Sequence, residues 1–96
     1  MSRPLLTVAD RADVFRGLAH PLRRRIIARL AGGEVGVAEL QASFHVSPQV
    51  LSQHLAILRE TGLVTTRLQR PHRFYRLRSA TLRLARNWMD GVDAAA

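Results

Sequence analysis

Ninety-six residues, 47% of them apolar and 23% charged, suit one small folded domain and exclude a low-hydrophobicity disordered chain. Fifteen basic residues, every one Arg, against seven acids give a net charge of +8, which favours a polyanionic partner. The lack of cysteine excludes disulfides, thiol switching and thiolate metal sites. The apolar runs are too short to span a membrane and the start lacks a signal-peptide apolar region, so the expectation is a cytoplasmic protein with no membrane partner. Coding bias can favour Arg over Lys but leaves the excess of bases unexplained, and Arg suits bidentate contact with phosphate and guanine.

Residues 1–6 read as a loose arm. Thr7-Val8-Ala9-Asp10 has capping-box form and opens a helix that runs to about Ala19, before Pro21. Val8, Ala12, Phe15 and Ala19 form one apolar stripe, with Val14 and Leu18 on a neighbouring one. So wide a stripe on a short helix suits burial against its own body and against a second subunit, although periodicity alone fits an ordinary core equally well. Pro21 opens a second helix with Leu22, Ile26, Ile27 and Leu30 inward and Gly32-Gly33 at its close, so helices 1 and 2 occupy residues 7–31. Arg23, Arg24 and Arg25 are successive and fan around this helix, which suits solvation or acid pairing more than one phosphate patch. Gly36 is a weak cap for the third helix, with Glu39 placed to reach back.

Residues 37–61 spell a helix-turn-helix. A short helix through Val37-Ala38-Glu39-Leu40-Gln41-Ala42-Ser43-Phe44 meets the connection His45-Val46, where His45 is expected to take a left-handed conformation. Ser47 is the N-cap of the second helix, Pro48 its first residue and Gly62 its left-handed stop. Val50, Leu51, Leu55, Ile57 and Leu58 share one arc, and Gln49, Ser52, Gln53, Ala56 and Glu60 share the other. Amides can pair bidentately with adenine and hydroxyls can serve several bases, so Gln49, Ser52 and Gln53 are the candidate base readers. Ser47 is assigned to the DNA backbone. His54 falls within the inward arc, which favours a buried, hydrogen-bonded imidazole over a base contact.

From Leu63 the pattern turns to β, giving a wing over residues 63–78. Its strands are Val64-Thr65-Thr66-Arg67-Leu68 and Arg73-Phe74-Tyr75-Arg76-Leu77, and its tip is Gln69-Arg70-Pro71-His72, a stiff turn with Pro at its second position. Arg67, Arg70, Arg73 and His72 make a basic finger suited to phosphates or the adjacent minor groove. Defence of a solvated edge strand would by itself account for one or two of these arginines. Ser79 can cap a last helix over residues 79–92, whose stripe is Leu82, Ala85, Trp88, Met89 and Val92, and the tail beyond Asp90 is expected to fray. Val8, Ala12 and Phe15 with Leu82, Ala85, Trp88 and Met89 are the candidate dimer interface.

Three segments carry a family resemblance: Val14-Phe15-Arg16-Gly17-Leu18-Ala19-His20-Pro21-Leu22-Arg23-Arg24-Arg25-Ile26, then Val50-Leu51-Ser52-Gln53-His54-Leu55 with Leu58-Arg59 and Gly62-Leu63-Val64, and finally Phe74-Tyr75. Over roughly residues 13–90 the chain resembles the ArsR/SmtB family of bacterial winged-helix regulators, nearest its small metal-independent autorepressor branch. The resemblance implies a single domain over residues 1–96, mainly α with a small β-hairpin: a winged helix-turn-helix of about five helices and a two-stranded wing. It further implies a homodimeric repressor bound to double-stranded DNA at a palindromic operator. An unidentified effector or protein co-regulator remains open.

Arg70 stands where resembling proteins commonly carry Gly, so this wing should turn differently. Metal sensors of the family carry two thiolates at positions that fall here on Gly36 and Ala38, and after His72 no histidine follows. Carboxylates alone, Asp90 and Asp93, make a poor transition-metal site, so no metal or cofactor is expected. A weak site at His20, His45 or His72 with a subunit partner keeps a histidine-based metal or ligand sensor as the alternative. The other alternative is a winged-helix protein-interaction module, which should expose aromatic or apolar anchors on the reader face. No enzyme is expected, because the acids fall mostly at helix ends and no nucleophile-base set or Gly-rich phosphate loop is present.

Overall fold

The computed structural model describes residues 14–96; the arm, the capping box and the Val8 and Ala12 stripe lie outside the described residues. Residues 14–18 are helical (α1), followed by α2 (Pro21–Leu30), β1 (Val35–Gly36), α3 (Val37–Ser43), α4 (Pro48–Glu60), β2 (Val64–Gln69), β3 (His72–Leu77) and α5 (Ser79–Ala95). The strands form one antiparallel sheet in the order β1-β3-β2. The architecture is the expected winged helix-turn-helix, mainly α, with a third strand that the sequence did not announce. Val35 pairs with Tyr75 and Gly36 with Phe74, and two residues are too few to show an alternating pattern.

Periodicity places the leucines and isoleucines of the α2 core and the three core leucines of α4. Leu22, Ile26, Ile27 and Leu30 of α2 are buried, and Leu51, Leu55 and Leu58 of α4 meet them with Leu40, Val14 and Leu63. Pro21 opens α2, and His20 caps it by accepting the Leu22 N–H at Nδ1, 3.0 Å away. Gly36 caps α3 without a side chain; Glu39 does not reach back to it but pairs with Arg29 of α2. Both partners of that pair are exposed, so it contributes under about 1 kcal/mol. Gly17 is required by a close approach: a β-carbon there would lie 2.4 Å from Leu63 Cδ1 and 2.7 Å from Thr61 Oγ1.

The α3–α4 turn departs from expectation. No described non-glycine residue has positive φ, so His45 is not left-handed. Instead Phe44 is extended, the Val46 N–H donates to the Phe44 carbonyl at 2.9 Å, and the Gln41 amide donates to the Val46 carbonyl at 2.6 Å. A side chain therefore closes the turn where left-handed backbone would otherwise do so. At the far end of α4, Gly62 adopts φ 74° and the chain closes in a Schellman motif, with Leu63 N–H on the Leu58 carbonyl and Gly62 N–H on the Arg59 carbonyl, each at 3.0 Å. Both apolar partners of that motif, Leu58 and Leu63, are fully buried.

The wing hairpin runs in register from Val64↔Leu77 to Gln69↔His72, leaving Arg70 and Pro71 as a two-residue loop. Their peptide bond is cis, and Pro71 is the third residue of the turn, not the second. At α5 the N-cap is Arg78, with no side-chain cap bond, and Ser79 is already helical. The helix continues to Ala95 through the tail expected to fray.

Candidate nucleic-acid interface

The exposed first turns of α4 gather the predicted base readers. Ser47 accepts the Val50 N–H at 3.2 Å, so its hydroxyl is engaged in capping, and Gln49, Ser52 and Gln53 are all exposed. Val50 was expected to face inward, yet it is 36% exposed, because α4 packs through Leu51, Leu55 and Leu58 and Val50 lies beyond the edge of that strip. Between α3, the start of α4 and β3 runs a groove of about 300 Å³ whose lining includes Val37, Pro48, Leu51 and Tyr75, together with Ser52 and Arg73. The start of α4 and the hairpin thus share one edge of the molecule.

On the wing, Arg70, His72 and Arg73 are exposed. Arg67 is occupied: its Nη2 and Nε donate to the two oxygens of Glu34 at 2.7 and 3.2 Å, its Nη1 donates to Gln69 Oε1 at 2.8 Å, and its guanidinium lies 4.4 Å from the Phe74 ring centre. The hydrogen bond holds the Glu34 carboxyl below its usual range and raises Arg67. Three of its five N–H groups are taken, so a phosphate contact from Arg67 would use the second N–H of Nη1 or Nη2, beside the charge of Glu34. Sequence reading missed Glu34, since nothing local links residues so far apart in the chain.

Behind the reader helix sits an arginine that was expected to be solvated or acid-paired. Arg23 is buried, with Nε donating to the Gly17 carbonyl at 3.0 Å, Nη2 to the Arg16 carbonyl at 2.9 Å and Nη1 to His54 Nδ1 at 3.1 Å. The spacing held the signal: Arg23 precedes Ile26 by three residues and Ile27 by four, on the inward face of α2. A guanidinium can only donate, so His54 accepts at Nδ1 and carries its proton on Nε2. The His20 ring lies 4.4 Å from that of His54, and its Nδ1 is likewise an acceptor. His54 is thus partly buried and hydrogen-bonded, in line with its place on the inward arc. Burial, then the neighbouring His20 and Arg23, push its pKa below the usual 6.5.

A depressed folded-state pKa means that the unfolded chain takes up the proton first. His54 therefore contributes fully above about pH 6.5, and its contribution falls as pH drops below that value. The urea midpoint should decrease between pH 7.5 and 5.5, with a slope of at most about 1.4 kcal/mol per pH unit from this group. His54→Gln should flatten that segment; an equal slope in the variant would assign the pH dependence elsewhere.

The candidate interface residues divide. Phe15 and Trp88 stack edge to face with centroids 5.3 Å apart, Leu82 is half-buried, and Trp88, Met89 and Val92 are 36%, 47% and 50% exposed. Ala85 is only 1% exposed, so it belongs to the core of its own chain and offers a second subunit nothing. Among the described residues no three His, Cys, Asp or Glu side chains are grouped to hold a metal ion, and no helix is long and apolar enough to cross a membrane.

Residues 18–67 match a helix-turn-helix domain family, 50 of the 96 residues. Over 66 residues the chain is 44% identical to a biofilm growth-associated repressor of Agrobacterium fabrum, covering 69% of this chain and 56% of that protein. A solved structure of a possible transcriptional regulator for arsenical resistance is 40% identical and superposes with a TM-score of 0.77 over 83% of each chain. The chain belongs to the ArsR/SmtB family of winged-helix regulators. The structure of an ArsR family transcriptional regulator, 22% identical, shares the fold with a TM-score of 0.87 over 94% of this chain and 93% of that one. This ArsR-family chain spans about three fifths of the length of the biofilm growth-associated repressors it matches.

Proposed function

We propose that the protein is a cytoplasmic, non-enzymatic transcriptional regulator, a homodimer that represses by occupying a palindromic operator. The observation that carries this reading is the exposed first two turns of α4, which bear Gln49, Ser52 and Gln53, with Ser52 sharing a groove with Arg73 of the wing. Amides and a hydroxyl suit base edges, and the exposed Arg70 and Arg73 suit phosphates. The relatives named as repressors support the direction of control. Two reader helices in a dimer would meet half-sites about one helical turn apart.

Selection of bound duplexes from a random pool tests this directly. The expected product is a palindromic consensus whose half-site centres lie about 10 base pairs apart. Recovery of sequences with no common element, or of none at all, would contradict it.

A further inference from the structure

We propose that Val50 is a specificity residue of the reader helix, and that its isopropyl group reads the 5-methyl group of a thymine in each half-site. The inference rests on the DNA-reading function proposed above and concerns a residue that no amide or charge argument singles out. Val50 is 36% exposed on the first turn of α4, whereas Leu51, Leu55 and Leu58 are buried to 2% or less. At 100° per residue it lies about 60° from Gln53 and about 100° from Gln49, on the same exposed arc. Its backbone is pinned by the bond from its N–H to Ser47 Oγ.

The fold makes little use of this side chain. An exposed β-branched residue forms helix less well than Ala, and Val50 is not among the residues that pack the core. What the branching supplies is rigidity: χ1 of Val in a helix is held almost entirely in one rotamer, so an apolar knob is presented with little entropy left to lose. In the major groove thymine alone among the four bases presents a methyl group, and apolar side chains are its natural contact. Val50 beside two amides fits a half-site in which adenine edges and a thymine methyl fall on neighbouring A·T pairs.

The test replaces each thymine of the selected operator by deoxyuridine, which removes the methyl and keeps the pairing, symmetrically in both half-sites. Wild-type protein should lose about fourfold in affinity per half-site at one position, the worth of one buried methyl-sized group. Val50→Ala should bind the thymine operator about fourfold more weakly per half-site and be indifferent to uridine at that position. A wild type indifferent to every replacement, or a Val50→Ala protein still sensitive to the same methyl, overturns the assignment while sequence-specific binding survives. Failure of the wild type to prefer any duplex overturns both this inference and the function on which it rests.

Discussion

Arg23→Ala should lower the stability of the fold by about 3 kcal/mol, a large part of what a small domain has. The guanidinium satisfies the Gly17 and Arg16 carbonyls and His54 Nδ1, each bond lying between 2.9 and 3.1 Å. Truncation leaves the Gly17 carbonyl and His54 Nδ1 without a partner, while the Arg16 carbonyl keeps the Ala19 N–H at 3.3 Å. Each orphaned acceptor that water cannot reach costs about 1–3 kcal/mol, and the desolvation recovered by removing the charge offsets only part of that. Arg23→Lys should rescue little, because one ammonium cannot span three acceptors as the planar fork does. In urea the midpoint should fall with the slope unchanged, and the melting temperature should drop by roughly 12–24 °C for a domain of this size. A loss under about 1 kcal/mol in Arg23→Ala would show that the network is incidental to the seat of the reader helix.

Met89→Glu should convert the proposed dimer to a folded monomer and remove most of its operator affinity. Met89 and Val92 are about half exposed, and with Trp88 they form an apolar strip on α5 beside Phe15. Among the described residues the strip stays partly open to water, and the proposed dimer places a second copy over it. Met89 is the cleaner site for a charge, since Phe15 also packs on Trp88 within one chain. Loss of the second reader helix removes the gain from simultaneous engagement of two half-sites, on the order of 10²–10⁴ in affinity. Sedimentation reads the first effect and operator titration the second. If Met89→Glu and Phe15→Glu both remained folded dimers, the subunit contact would lie on another face.

Elements whose information is local were legible in the sequence. Ser47, Pro48 and Gly62 bracket α4 as their cap, start and stop chemistry requires, and the leucine spacing identifies its buried strip. Residues whose role depends on a distant partner were not. Arg23 was read by its charge when its position on the stripe with Ile26 and Ile27 mattered more, and Glu34 acquires its role only when the hairpin brings Arg67 alongside. Val50 lies at the margin of the apolar arc, where a helical wheel cannot say how far a neighbour extends. His45 shows a different limit. A turn expected to need left-handed backbone was closed by the Gln41 amide, five residues from the carbonyl it reaches. The Val35 and Gly36 strand exists only because β3 is there to pair with it.

If α4 reads bases and the wing anchors the backbone, affinity measured over a salt series on operator and scrambled duplexes separates the two roles. Gln53, one turn into α4 and exposed, is assigned to a base edge, while exposed Arg73 at the groove beside Ser52 is assigned to backbone charge. Gln53→Ala should cost about 1–3 kcal/mol on the operator, relax preference at one base pair per half-site and leave scrambled DNA almost unaffected. Arg73→Ala should weaken both duplexes about equally and reduce the log-log salt slope by roughly one per lost phosphate contact. The contradicting result is the reverse pattern, with Gln53→Ala losing both duplexes equally and Arg73→Ala changing the preferred base.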